Sequence, residues 1–286
     1  MKKIQFFLFA FILCVPFLTA QVYTAKDKEI CNSKFNLAAN AGLAKKPIND
    51  VISEIGKSFL GTDYTASALE VDGEEQLVIN LAGLDCTTFL ENTLVFSRLI
   101  KTGKSSFEDY LSELTNIRYR SGKIDGYTSR LHYFSDWIHD NIKKGILKDI
   151  TRSAGGEKVK FNLNFMSTHP ASYKQLKNNP DLVNTIGKQE QAINEREYFY
   201  IPKEKVALFE GNIKSGDLIA ITTNIKGLDI SHVGIAVKEK DGRIHLLHAP
   251  TVGSKVQVTD DPLPEYLLKV KKHSGVIILR ATEPVL

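Results

Sequence analysis

Three side chains in this 286-residue chain are of the types that nucleophilic acyl transfer requires: Cys86, His232 and His248. Cys86 lies in Ala82-Gly83-Leu84-Asp85-Cys86-Thr87-Thr88-Phe89-Leu90-Glu91-Asn92, where a loop gives way to the helical spacing of Phe89, Leu90, Leu94, Phe96 and Ile100. That pattern predicts a helix beginning at Asp85 or Cys86, with Asp85 as its N-cap. Free amides and the positive end of a helix dipole favour a thiolate, the nucleophilic form of cysteine. The same position also suits a small core residue or half of a disulfide. A thiolate nucleophile needs a base, and the base needs a group to fix its tautomer; histidine suits the first role and a second histidine the other. Either histidine alone also fits a structural residue.

Both histidines fall in the last third, where Gly216–Thr222, His232–Val237, Ile244–His248 and Val276–Leu279 read as strands. Asp241-Gly242 is a hairpin signal. A two-residue loop sets Lys240 against Arg243 and His232 against Thr251, and a small change in loop length sets His232 against His248. The two histidines then share one end of a hairpin, and His245, three positions before His248, faces the other way.

The elements around these strands are read from periodicity. Asp27–Ala44 and Pro47–Leu60 predict two amphipathic helices, with Pro47 suited to a first turn. Gly61-Thr62-Asp63-Tyr64 closes the second, and Leu77–Leu81 is a short apolar run leading to the cysteine. Between Thr102 and Gly216 a helix over Phe107, Tyr110, Leu111 and Leu114 precedes Arg118-Tyr119-Arg120 and Tyr127-Thr128-Ser129-Arg130-Leu131-His132-Tyr133. Arginines and tyrosines at this density recognise carboxylates and stack on sugars, or else line a core with solvated arginines outside. Asn178–Asp181 and Gly187-Lys188 predict loops, and Glu190–Arg196 a short helix.

Residues 1–20 read as an export leader: Lys2 and Lys3, an apolar run from Ile4 to Leu18, then Ala20. Ile12 and Leu13 before Cys14 lack the small residue of a lipoprotein signal, so no lipid anchor is expected. The net charge is +4, and removing the two leader lysines leaves 4 − 2 = +2, which implies no nucleic acid. No later stretch approaches the length of a membrane span. Only Cys31 and Cys86 then remain, too few for a four-thiolate zinc site and enough for one disulfide.

In combination, Asp85-Cys86-Thr87, Ser215-Gly216-Asp217-Leu218 and Ser231-His232-Val233-Gly234-Ile235 resemble the pattern of the NlpC-type papain-like cell-wall cysteine hydrolases. The resemblance implies an α+β fold in which a helix headed by the cysteine packs on an antiparallel sheet. It assigns the nucleophile to Cys86, the base to His232 and the orienting role to His248. It also matches Gly61 and Tyr64 to an upstream glycine and tyrosine, Tyr64 assisting the oxyanion site with the Cys86 amide, although Asp63 replaces the proline usual before that tyrosine. The chain further resembles the N-acetylmuramoyl-L-alanine amidase-like branch over nearly all of residues 21–286, through Arg118–Arg120, Ser129–Phe134, Asp136-Trp137, Phe165–Ser167, Gly227–His232 and Leu247–Ala249. The long separation of Cys86 from His232 implies a mostly helical insertion within 102–215, built over the cleft of a single catalytic domain.

That branch implies an exported bacterial enzyme, periplasmic or extracellular, without metal or cofactor. It would cut the amide between the lactyl group of N-acetylmuramic acid and L-alanine in muropeptides, including anhydro forms. Asp85, Arg120, Tyr127, Arg130, His132 and Tyr133 join Tyr64 as candidate substrate-binding residues. Two alternatives stay open: cleavage between D-glutamate and the diamino acid of the stem peptide, and a non-catalytic muropeptide-binding protein with Cys86 tied to Cys31. The oligomeric state is not legible.

Overall fold

The computed structural model describes residues 21–251 and 254–285. The expected leader lies outside the described residues. Strand β1 (Gln21–Val22) pairs in parallel with β3 (Leu77–Val78), and β2 (Asp63–Tyr64) with β4 (Gly83–Leu84). Helix α1 (Ala25–Asn40) starts on a capping box between Thr24 and Asp27. It stops short of the expected Ala44 because Gly42 takes a left-handed conformation, φ 61°, and Leu43–Lys45 forms a separate turn. Helix α2 (Ile48–Lys57) follows Pro47 and buries Ile48, Val51, Ile52 and Ile55.

Helix α3 (Cys86–Lys101) is the central helix. Its N-cap is Asp85, whose carboxylate accepts from the Thr88 amide at 2.7 Å while the Thr88 hydroxyl accepts from the Asp85 amide at 2.9 Å. Together these bonds satisfy a free first-turn donor and fix where the helix begins. From Thr88 to Ile100 most of α3 is buried, between α2, α4 (Phe107–Arg118) and the main sheet.

Helix α5 (Phe134–Lys143), strands β5 (Leu147–Asp149) and β6 (Glu157–Val159), helices α6 (Phe165–Thr168) and α7 (Pro180–Asn194), β7 (Tyr198–Pro202) and α8 (Val206–Phe209) complete the middle third. Helix α7 starts ten residues before the expected Glu190 and runs through Gly187, correcting the expected loop there. Asn179 caps it, Pro180 occupies its first turn, and it buries Ile186, Glu190 and Ile193 on one face. That burial outweighs the roughly 1 kcal/mol that one internal glycine costs.

Strands β8 (Leu218–Thr223), β9 (Ile230–Lys238), β10 (Ile244–His248), β11 (Gln257–Val258) and β12 (His273–Ala281), with helix α9 (Leu263–Lys269) before β12, complete the chain. The eight-stranded sheet runs β11-β10-β9-β8-β12-β7-β6, with β5 also on β12, and every pairing in it is antiparallel. Thus the middle third adds three short strands to the sheet as well as helices. The fold is mixed α/β, with the cysteine-bearing helix on one face, over Val233, Ile235 and Val237, and α9 on the other, over Ala236, Leu246 and Ile278.

Gly216 and Asp217 prove structural. Gly216 (φ 84°) lies so near α2 that a Cβ would fall 2.0 Å from the Asn49 carbonyl oxygen. Asp217 is fully buried and receives two bonds of 2.7 Å from Arg280. No helix among the described residues is long and apolar enough to cross a membrane. Both Cys31 and Cys86 are free thiols, so the disulfide that one alternative supposed between them is not formed.

Candidate active site

The β9–β10 turn sets the register of the histidines. Ile244 faces Lys238, and the Glu239 amide bonds the Arg243 carbonyl at 3.0 Å, so the loop holds Lys240, Asp241 and Gly242 rather than two residues. Gly242, φ 80°, supplies the left-handed residue that such a loop needs. The predicted facing of Lys240 with Arg243, and of His232 with Thr251, is therefore off by one. The correction matters because a one-residue slip reverses faces. In the observed register Leu246 faces Ala236, so even-numbered residues of both strands share a side, and His232 and His248 come together. Their Nε2 and Nδ1 atoms lie 2.7 Å apart with the rings at 82°. His245 points the other way, to the Thr259 carbonyl and Asp241.

Cys86, at the head of α3, and His232, near the start of β9, line one cavity of about 200 Å³. Because His232 Nε2 is taken by His248, Nδ1 is the ring nitrogen left for chemistry. Burial and the Asp85 carboxylate push the Cys86 thiol up to about 11, against the smaller lowering effect of the Val233 amide and of Thr87. The expected helix-terminal thiolate is thus outweighed by desolvation, and the resting sulfur is a thiol. Burial likewise lowers His232 to about 3 and His248 to about 4, so both rings are neutral at pH 7.

Two first-turn amides of α3, those of Cys86 and Thr87, have no intrahelical acceptor. Amides of this kind are the donors an oxyanion requires. Tyr64 lies on β2 opposite Leu84, two residues before Cys86. Its half-buried hydroxyl is held protonated by burial, Cys86 and Asp85, in that order.

The Arg/Tyr cluster divides. Arg130, His132 and Tyr133 reach the cleft: Arg130 lines an adjoining cavity of about 510 Å³, Tyr133 the cysteine cavity, and His132 both. Asp85 lines the larger cavity. Arg120 does not reach either; it pairs with Asp136 at 2.6 Å and borders a separate surface hollow with Lys123 and Gln189. Tyr127 is buried, 4.3 Å from the His132 ring between centroids, and its carbonyl accepts from His132 Nε2 at 2.8 Å. Neither residue lines the cysteine cavity or its larger neighbour.

The arginines that face the cleft already have carboxylate partners. Arg130 is held by Glu70 at 2.8 Å and Glu75 at 3.0 Å, and Arg118 by Glu91 at 2.8 Å. Tyr133 donates to Glu190 at 2.6 Å. Glu70, Glu91 and Tyr173 of the larger cavity went unpredicted; the two glutamates pair with arginines 27 and 60 residues away, which leaves no local pattern. Among the described residues no group of three metal-ligating side chains converges.

The model of a family described as N-acetylmuramoyl-L-alanine amidase-like matches residues 54–276. The structure is similar to that of an N-acetylmuramoyl-L-alanine amidase from Bacteroides uniformis, with a TM-score of 0.78 and 41% sequence identity, covering 82% of this chain and 99% of that one. A Bacteroides fragilis structure named for a proposed xylanase has a TM-score of 0.75 and 45% identity, over 79% of this chain and 98% of the other. A Legionella pneumophila protein shares the fold at 23% identity and a TM-score of 0.66, over 92% and 99% of the two chains. No curated protein matches the chain.

Proposed function

The chain belongs to the N-acetylmuramoyl-L-alanine amidase-like family, and from that premise we propose a cysteine-dependent amidase that releases L-alanine-headed peptides from muropeptides, including anhydro forms. The observation that carries the cysteine mechanism is the shared cavity of Cys86 and His232, with the second nitrogen of His232 bonded to His248. In this reading His232 Nδ1 takes the Cys86 proton as sulfur attacks the lactyl carbonyl. The oxyanion is met by the Cys86 amide and the Tyr64 hydroxyl. Protonated His232 gives its proton to the alanine nitrogen, the C–N bond breaks, and a muramoyl thioester remains. Water, losing a proton to His232, hydrolyses the thioester, and that proton returns to sulfur. An NlpC-type core carrying the 102–215 insertion, and export directed by residues 1–20, complete the proposal.

The xylanase name of the Bacteroides fragilis relative finds less support in this cleft. Glycoside hydrolysis ordinarily uses two carboxyl groups free to act on the bond. Here Glu91 is held between Arg118 at 2.8 Å and the Trp137 indole at 3.2 Å, and Asp85 is the cap of α3. Mass spectrometry of a muropeptide digest tests the proposal, with Cys86→Ala alongside. Free sugar plus an intact L-alanine-headed peptide, absent with Cys86→Ala, is the expected result. A product retaining muramoyl-dipeptide overturns it in favour of stem-peptide cleavage.

A further inference from the structure

His232 Nε2 and His248 Nδ1 face each other, so what lies at the far nitrogen of His248 biases which ring supplies the proton between them. That nitrogen, Nε2, is buried and has no hydrogen-bond partner among the described residues. His248 stands on the α9 side of the sheet, as Leu246 does two positions earlier on β10. Nδ1 reaches sideways to β9, and Nε2 lies at the tip of an imidazole, so the tip is presented to α9. There it meets Tyr266, whose ring stands at 84° to the His248 ring with centroids 5.5 Å apart. Tyr266 is itself packed, against the apolar cluster that includes Ile221, Ala236 and Leu246, and against the ring of His273 on β12 at 5.8 Å between centroids. Burial first, and then Cys86, hold its phenol protonated, so the ring is a neutral π surface.

Resting on the amidase reading, we infer that Tyr266 is a positioning residue for the acyl transfer: its ring face selects the tautomer in which His248 carries hydrogen on Nε2 and accepts at Nδ1. Two arrangements compete. In one, His232 donates from Nε2 and keeps a bare Nδ1, while His248 turns an N–H toward Tyr266. In the other, His248 donates from Nδ1, His232 carries its hydrogen on Nδ1, and a bare lone pair of His248 is buried against the ring. The face of an aromatic ring is the negative part of its quadrupole, so it attracts the N–H and repels the lone pair. Only the first arrangement leaves His232 able to take the Cys86 proton. Tyr266 does not line the cysteine cavity and acts through His248 alone.

The test reads the tautomer directly, by long-range ¹H–¹⁵N correlation of the imidazole nitrogens at pH 7, where both rings are neutral. It compares wild type with Tyr266→Phe and Tyr266→Leu. The first two present the same ring face and should show hydrogen on His248 Nε2 and a bare Nδ1. Tyr266→Leu keeps apolar bulk without a π face and should lower the ratio of that tautomer to its alternative about fivefold, the scale of one N–H···π contact. Hydrogen on His248 Nδ1 in wild type overturns the inference, and that result needs no variant to fold; an unchanged ratio in folded Tyr266→Leu overturns it as well. On a muropeptide, kcat should fall in proportion to the bare-Nδ1 fraction of His232 with KM unchanged, and Tyr266→Phe should match wild type. A kcat that does not follow that fraction overturns the positioning role. Should wild type cleave no muropeptide, the amidase reading fails, and the tautomer ratios alone decide whether Tyr266 sets His248.

Discussion

His232 Nε2 and His248 Nδ1 lie 2.7 Å apart, which ties the protonation of one ring to the tautomer of the other. Two neutral rings share one proton on that line. If His232 supplies it, His232 Nδ1 is a bare lone pair, the form a general base needs; if His248 supplies it, Nδ1 carries hydrogen and cannot accept.

The mechanism requires the first arrangement, with His248 accepting. His248→Ala should therefore lower kcat by about 10²-fold with little change in KM, within the range typical of lost acid–base positioning. His248→Gln, which keeps an acceptor, should retain more activity than His248→Ala. Steady-state kinetics on one muropeptide compare the three proteins, and equal losses in kcat for the two variants would count against an accepting role.

The thiol at about 11 leads to a second expectation. Only the thiolate is alkylated, so Cys86 should react with iodoacetamide at a rate that climbs about tenfold per pH unit between pH 6 and 9, with no plateau. Asp85→Asn keeps a good N-cap and removes the nearby negative charge, so alkylation at pH 7 should rise about 3- to 10-fold without loss of thermal stability. A rate independent of pH from 5 to 8 would instead mean a preformed ion pair. Buried Cys31, pushed to about 12, provides a slow internal reference.

Much of this geometry was legible before any coordinates. The cap of α3 at Asp85, the four long strands and the meeting of two histidines all follow from local pattern, because capping, period-2 alternation and turn residues act over a few positions. What failed was set by tertiary contact. Helix α7 ran through a glycine because Ile186 and Ile193 are buried, whereas the extra hairpin residue at Gly242 is a local choice of turn. Arg118 and Arg130 resemble free anion binders in sequence, yet carboxylates distant along the chain already hold them. The state of the thiol was misjudged for a related reason: helix position can be read from sequence, whereas desolvation depends on everything packed around the sulfur.

The Arg118–Glu91 pair separates stability from catalysis. Both side chains are almost wholly buried, and Arg118 also donates to the Val78 carbonyl at 2.6 Å, joining α3, α4 and β3. Removing one partner strands a buried charge, which typically costs about 3–5 kcal/mol. Arg118→Met alone should lower the unfolding free energy by that amount in urea titrations, and Arg118→Met with Glu91→Gln should recover more than half, since no net charge is then left unmatched. Because neither residue lines the cavity that Cys86 shares with His232, the double variant should alkylate at Cys86 at pH 7 within about threefold of the wild-type rate. A double variant no more stable than Arg118→Met would show that the loss comes from packing around the guanidinium and not from the stranded carboxylate.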